Sequence, residues 1–140
     1  MSVHFSSKTF EWATPQDFFD ELKKEFNFDL DPCATKYNAK CKNYFTKEDN
    51  GLEKDWGGYC VFMNPPYGRY ISNWIHKAWQ ESKKPNTTVV CLLPARTDTR
   101  WFHNYCIKER VQIRFLQGRL KFGGSKNSAP FPSMLVIFKG

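Results

Sequence analysis

The sequence has no long hydrophobic run and no recognisable targeting segment. None of its apolar stretches approaches the roughly 20 residues that a helix needs to cross a bilayer. The first residues, 1–8, lack the basic and then apolar order of a secretory signal. We therefore expect a cytoplasmic protein that does not enter the membrane.

Cysteine and histidine are too scattered to suggest a metal site. The five cysteines are odd in number and form no Cys-x-x-Cys pair, and the three histidines lack the mutual spacing of zinc ligands. We expect no bound metal, and we expect the cysteines to be free and mostly buried. These residues are Cys33, Cys41, Cys60, Cys91, Cys106, His4, His76 and His103.

Acidic residues are outnumbered by basic ones. The chain has 14 Asp and Glu against 21 Lys and Arg, which gives a formal net charge of +7. A positive field favours a polyanionic partner such as nucleic acid, and a solvated lysine surface is the alternative. The 140 residues suffice for one domain with a core, so we expect a single domain over residues 1–140, without a second one for target recognition.

Hydrophobic periodicity predicts alternating helices and strands, followed by clustered strands. Helices are predicted from a Thr14 N-cap to about Phe26, from Ile71 to the cations that begin at Lys83, and over about 99–107. This pattern predicts an α/β fold, a mainly parallel sheet with an antiparallel edge that is layered by helices. The predicted strands are 28–30, 44–45, 59–63, 87–93, 111–115, 119–122 and 134–138.

The stretch Asn64-Pro65-Pro66-Tyr67 follows a buried strand directly. Proline fixes φ and also restricts the residue before it, so Asn64 and Pro65 are held in defined geometry. An amide oxygen, a backbone carbonyl and an aromatic ring at the end of a strand could bind a planar amine by two hydrogen bonds and one stacking face. The alternative is a simple proline turn after the strand.

Two further proline corners precede this one. Asp31-Pro32 ends a short strand, where a carboxylate could hydrogen-bond a ligand or could instead cap a turn. Thr14-Pro15 has the pattern of a helix start, with Thr14 as the N-cap and Pro15 at the first helical position.

Four segments resemble, in order, the phage-type DNA N-6-adenine methyltransferases, a Dam-like family that uses S-adenosylmethionine: EWATPQDFF, FDLDPCAT, FMNPPYG and GRLKFGGSKNSAPFPSMLVIF. The resemblance spans nearly the whole chain. It implies a Rossmann-like class I methyltransferase fold with an antiparallel C-terminal hairpin, S-adenosylmethionine as cofactor and DNA as partner. If the chain is phage-encoded, its compartment is the cytoplasm of the bacterial host.

The same resemblance implies roles for individual residues. Asn64 and Pro65 would accept the two N–H bonds of an adenine amino group, so that its nitrogen can pyramidalise, and no general base is needed. Pro66 would stiffen this corner, and Tyr67 would stack on a base flipped out of a duplex. Implied cofactor contacts are Trp12, Thr14, Pro15, Asp31, Pro32, Cys33 and, chosen over Glu48 and Asp55 as the acidic contact, Asp49.

Two departures from common methyltransferase patterns leave alternatives open. The first strand ends without a glycine-rich turn. Larger adenine methyltransferases insert a target-recognition domain, for which this chain has no room, so loops at Arg69 and Tyr70, 96–100 or 123–128 would have to read the target sequence. Plain phosphate contacts are the alternative for their arginines. The same chemistry on RNA adenine, cytosine or a protein amide is the second function considered, and a non-catalytic nucleic-acid-binding domain is the third.

Overall fold

The structure is a computed structural model that describes residues 12–123 and 127–140. Six strands of this part form one sheet in the order β2-β1-β3-β4-β6-β5. The strands are β1 (Leu30–Asp31), β2 (Asn43–Tyr44), β3 (Cys60–Met63), β4 (Thr88–Pro94), β5 (Val111–Phe115) and β6 (Ser133–Lys139). The helices are α1 (Gln16–Lys23) and α2 (Ile71–Ser82), with a 3-10 turn at Gly51–Glu53 and a π-helical turn at Phe102–Cys106.

The sheet is parallel in its first half and antiparallel in its second. β1 pairs in parallel with β2 and β3, and β3 pairs in parallel with β4. β6 lies antiparallel between β4 and β5, with Cys91 opposite Val136 and Ile113 opposite the same residue. The predicted α/β fold with a mainly parallel start and an antiparallel C-terminal pair is therefore confirmed.

The core is built on the strands β3, β4 and β6, whose central residues are fully buried. On one face Phe62 of β3 packs edge to face against Phe19 of α1 and against Phe28, with ring centroids 5.1 and 5.4 Å apart. α2 connects β3 to β4 and buries Ile75 and Ala78 completely. Burial of this aromatic and aliphatic surface, at about 25 cal/mol per Å², holds the strand ends in fixed positions.

Three local predictions were wrong. Thr14 is not the N-cap of α1: Pro15 occupies that position, and helix α1 ends at Lys23, before Phe26. The predicted strand 119–122 does not form, because Gly118 has a φ of +73° and the backbone that follows bonds elsewhere. The helix predicted over about 99–107 is present, and its residues Phe102–Cys106 form a π-helical turn.

The five cysteines are free thiols, as predicted, but only Cys91 and Cys106 are buried and the other three are half-buried. Within residues 12–123 and 127–140, no helix combines the length and the apolar character that a bilayer crossing requires.

Candidate active site

The candidate site lies at the edge of the sheet where β1, β3 and β4 end. The chain proceeds from β1 outward to β2 and then returns to place β3 on the other side of β1, so the order of the strands reverses between β1 and β3. In open α/β sheets, ligands bind outside the carboxyl ends of the strands at such a reversal. Asp31 ends β1 and Asn64 follows β3, so both predicted corners flank this point.

The Asn64 side chain is oriented by the segment that precedes α1. Its Nδ2 group donates to the carbonyl oxygen of Trp12 and, at 2.9 Å, to Oγ1 of Thr14. A backbone carbonyl can only accept, so the amide nitrogen must face Trp12 and the amide oxygen must face away. Thr14 is 6% exposed, and its hydroxyl therefore serves Asn64 where sequence reasoning expected a helix cap.

The Asn64 carbonyl oxygen is a buried acceptor without a partner. Oδ1 of Asn64 and Oγ of Ser133 are the buried side-chain polar atoms that lack a hydrogen bond within the described part of the chain. A buried acceptor without a donor costs about 1–3 kcal/mol. A ligand N–H that reached Oδ1 would remove this cost, so the atom is suited to bind an amino group.

The proline corner fixes the backbone after Asn64. Pro65 is buried and lacks an N–H, so β3 cannot extend its ladder beyond this point. Pro66 is exposed at the rim. Gly68 then adopts a φ of +124°, which favours glycine, and its carbonyl accepts the Ile71 N–H at 3.3 Å. The corner thus joins β3 to α2 in a fixed direction.

Tyr67 lies in the core, since only 5% of the residue is exposed. Its hydroxyl donates to the Leu92 carbonyl oxygen at 3.0 Å, and burial raises the pKa of this hydroxyl, so that it stays protonated. Its ring meets Phe122 and Phe131 edge to face. A base could stack on Tyr67 only if these neighbours shifted.

Asp31 organises the turn that follows β1. Its Oδ1 accepts the Cys33 N–H at 3.2 Å and its Oδ2 accepts the Lys40 N–H at 3.0 Å. Burial raises the pKa of this carboxyl, and the two backbone N–H groups partly oppose that shift. The Asp31 side chain therefore caps a turn, which was one of the two alternatives from the sequence. Its contact with a cofactor remains a prediction.

Pro32 and Cys33 continue from Asp31 along the same edge. Pro32 is buried beneath the 3-10 turn, so close to Gly51 that a Cβ there would lie 2.5 Å from the Pro32 carbonyl oxygen. The Cys33 thiol is half-buried, and burial raises its pKa well above the ordinary value, so the thiol is protonated and unreactive at neutral pH.

Asp49 lies just beyond the end of β2, in an exposed turn. Its Oδ2 accepts the Thr46 N–H at 2.9 Å and the Thr46 hydroxyl at 3.0 Å, and these bonds lower the pKa of the carboxyl. Asp49 is therefore ionised at neutral pH and faces solvent. An ionised carboxylate accepts hydrogen bonds from hydroxyl groups well, which keeps it a suitable contact for a ribose.

Two phenylalanines of this site were missed by sequence reasoning. Phe122 and Phe131 come from the connection between β5 and β6, and both pack against Trp12 and Tyr67. Residue 122 falls within a predicted strand, and neither position carries a motif. The one available signal was the quoted resemblance of the segment that contains both rings.

Cationic side chains are frequent on the loops that leave this edge. Arg69 follows the proline corner, Arg96 and Arg100 follow β4, and Arg119 and Lys121 follow β5; all five are exposed. Asp98 is an exposed carboxylate among them. The positive charge favours an anionic polymer at this edge.

Comparison with known proteins identifies the family. A sequence model described as "DNA N-6-adenine-methyltransferase (Dam)" matches residues 3–140. A DNA N-6-adenine-methyltransferase of Haemophilus phage HP1 is 37% identical over 136 residues, covering 91% of this chain and 78% of its own length. A protein of the same description from Escherichia phage T1 is 33% identical over 93 residues, covering 65% of this chain and 38% of its own length.

Two more distant likenesses agree with the fold and the class. A putative methyltransferase, YfdM of Escherichia coli, is 39% identical over 64 residues, covering 41% of this chain and 70% of its own length. The 23S rRNA methyltransferase ErmE shares the fold with a TM-score of 0.56 over 93% of this chain and 70% of its own, at 8% identity. The expected Rossmann-like methyltransferase fold is thus confirmed. The chain belongs to the DNA N-6-adenine-methyltransferase (Dam) family.

Proposed function

We propose that this DNA adenine methyltransferase binds the amino group of its target adenine at the Asn64 side-chain oxygen. The observation that supports this most directly is the pairing of a fixed amide nitrogen with an unpartnered, buried amide oxygen on the same side chain. Trp12 and Thr14 hold the nitrogen end, so Oδ1 is pre-oriented as an acceptor. Preorganised polar groups of this kind need no reorganisation during the reaction.

The acceptors change the reactivity of the amine. The lone pair of an adenine amino nitrogen is delocalised into the ring, which makes the nitrogen a poor nucleophile. When Asn64 Oδ1 and the Pro65 carbonyl each accept one N–H, the nitrogen can pyramidalise and its lone pair becomes available. The same two oxygens stabilise the positive charge that grows on the nitrogen. The proton leaves after transfer, so no base with a shifted pKa is required.

The cofactor S-adenosylmethionine, whose use the methyltransferase family and fold imply, supplies a methyl group activated on a sulfonium. We assign its binding to residues along the reversal between β1 and β3: Trp12, Thr14, Pro15, Asp31, Pro32 and Cys33. Asp31 acts here by holding the 32–40 turn in place, because both of its oxygens already accept backbone N–H groups. The exposed, ionised Asp49 is the proposed contact for the ribose or adenine.

We propose that the DNA is double-stranded and that the target base leaves the stack to reach Asn64. Extrusion of a base costs a few kcal/mol, and stacking on an aromatic ring returns about 1–3 kcal/mol. Tyr67 supplies that ring after the aromatic side chains around it shift, since it is buried in this structure. Loops at the sheet edge, and the cations they carry, make the contacts to the phosphates. This reaction takes place where bacterial DNA lies, in the cytoplasm.

The experiment is an acceptor comparison. The protein is incubated with methyl-labelled S-adenosylmethionine and, separately, with unmethylated duplex DNA, single-stranded DNA, RNA and a protein extract. Label in 6-methyladenine of duplex DNA supports the proposal. Label found only in RNA, cytosine or protein would mean that this molecule, and not adenine in DNA, is the methyl acceptor. DNA binding without any transfer would favour a non-catalytic role.

A further inference from the structure

The connection between β5 and β6 is the least explained part of the site. We refer to its described residues, 116–123 and 127–132, as the β5–β6 loop. β5 and β4 both run antiparallel to β6, so β5 ends and β6 begins at the same sheet edge as the proline corner. Leu116 N–H donates to the Ser133 carbonyl oxygen at 3.1 Å and closes the base of the loop.

Two rings of this loop form a closed cluster with two rings of the site. Trp12 lies 5.5 Å from Phe122 and 5.3 Å from Phe131, measured between ring centroids. Tyr67 lies 6.3 Å from Phe122 and 5.6 Å from Phe131, and the two phenylalanines are 6.0 Å apart. Edge-to-face contacts at these distances add about 0.5–1.5 kcal/mol per pair beyond the area buried. The cluster therefore restrains both Trp12 and Tyr67.

The loop is also tied to the backbone that orients Asn64. The Gly123 N–H donates to the Ala13 carbonyl oxygen at 2.8 Å. Ala13 lies between Trp12 and Thr14, the two residues that accept the N–H groups of Asn64. Three consecutive residues thus bind the loop on one side and the Asn64 amide on the other.

From these contacts we infer that Phe122 and Phe131 are positioning residues for methyl transfer, which act on Asn64 by holding the segment 12–14 in place. This inference rests on the proposed function, in which Asn64 Oδ1 accepts the amino group. Loss of either ring lets the segment 12–14 move. A displacement of about 1 Å by a residue outside the chemistry can cost on the order of 100-fold in rate.

The test compares substitutions that remove the ring but keep apolar volume. We expect Phe131→Leu and Phe122→Leu each to lower single-turnover methyl transfer to duplex DNA by about 10- to 100-fold. Both rings pack against Trp12, which is assigned to the cofactor, so the rates are compared at saturating S-adenosylmethionine, where a raised KM does not lower them. Phe131→Tyr keeps the ring and should restore most of the rate.

The matched control is Phe138→Leu. Phe138 is as buried as Phe122, lies on β6 opposite Val89, and is far along the strand from the loop. Phe138→Leu should lower the thermal midpoint about as much as Phe122→Leu while leaving the single-turnover rate within about twofold, since it alters core packing alone. An equal loss of rate in both variants would show a general packing effect and overturn the inference.

A double-mutant cycle separates positioning from independent damage. If Phe131 acts through the segment that orients Asn64, adding Phe131→Leu to Thr14→Val should lower the rate by less than Phe131→Leu does alone. Full additivity, with a normal rate for Phe122→Leu, would overturn the inference while leaving the proposed function intact. Failure of the unmodified protein to methylate duplex DNA would instead overturn the proposed function.

Discussion

Replacement of Asn64 by alanine removes both ends of the side-chain amide: the nitrogen that donates to Trp12 and Thr14, and the oxygen that we assign to the substrate. The variant loses two donated hydrogen bonds, each worth about 0.5–1.5 kcal/mol, but it also removes the unpartnered Oδ1, whose burial is costly, so its free energy of unfolding should fall by at most about 3 kcal/mol. For a chain of this size we expect the thermal midpoint to fall by at most roughly 10 °C. The protein therefore remains folded at 25 °C, where turnover can be compared.

The rate should fall much further than the stability suggests. Removal of one preorganised group that stabilises developing charge costs about 100- to 1,000-fold in kcat. We expect Asn64→Ala to show this loss under single-turnover conditions, with 6-methyladenine in duplex DNA quantified by mass spectrometry. Binding of S-adenosylmethionine, measured by calorimetry, should stay within several-fold, since Oδ1 is assigned to the substrate amine.

Thr14→Val provides the companion measurement. It removes one of the two acceptors of the Asn64 amide while keeping the shape of the side chain, and leaves the Trp12 carbonyl in place. We expect about a tenfold loss of rate, because Oδ1 is retained but less firmly oriented. Thr14→Ser keeps the hydroxyl and should transfer near normally. A kcat for Asn64→Ala within tenfold of the unmodified protein would refute the acceptor role of Oδ1.

Three other substitutions test single contacts. Tyr67→Phe removes the bond to the Leu92 carbonyl and should cost about 1 kcal/mol in chemical denaturation with most activity retained, whereas a rate loss above tenfold would give the hydroxyl a chemical role. Burial raises the pKa of Asp31, so protonated Asp31 stabilises the folded state at acid pH, and this stabilisation is lost as the pH rises through the pKa of the folded state. Asp31→Asn should remove that part of the pH dependence, measured by thermal melts from acid to neutral pH. Ser133→Ala removes a buried hydroxyl without a partner, so the thermal midpoint should be unchanged or higher, and a lower one would mean that the hydroxyl is satisfied.

The succession of helices and strands along the chain and the Asn64 corner could be predicted because their signals are local. An apolar strand followed by Asn-Pro-Pro is recognisable within eight residues, and the restriction of the backbone by proline does not depend on the rest of the chain. The same holds for α2, whose apolar residues recur at helical spacing.

The role of Thr14 could not be predicted, because two hydrogen bonds compete for one hydroxyl. A threonine before proline has a strong local pattern for a helix N-cap. In the fold its Oγ1 lies near an amide 50 residues later in the chain, and that tertiary partner takes the bond. The Pro15 N-cap then has no side-chain cap.

The burial of Tyr67 by two phenylalanines could not be predicted from the sequence either. Leu120 and Phe122 alternate with Arg119 and Lys121, which is the pattern of a strand, whereas Phe131 lies between two prolines. Their burial depends on partners more than 50 residues away, and Gly118 and the bond between Gly123 and Ala13 direct the chain away from the sheet. Long-range side-chain packing of this kind overrides the intrinsic strand propensity of the segment.

β5 ends and β6 begins at the same sheet edge, and this arrangement lets the β5–β6 loop change while relatives diverge in target preference. The loop enters and leaves at one place, so residues can be inserted between 116 and 132 without altering any strand pairing. Doubling the length of a flexible loop costs only about 0.6 kcal/mol of closure entropy. Chimeras that exchange the outer part of this loop among relatives, while keeping Phe122, Gly123 and Phe131, should therefore fold and retain the chemistry of Asn64.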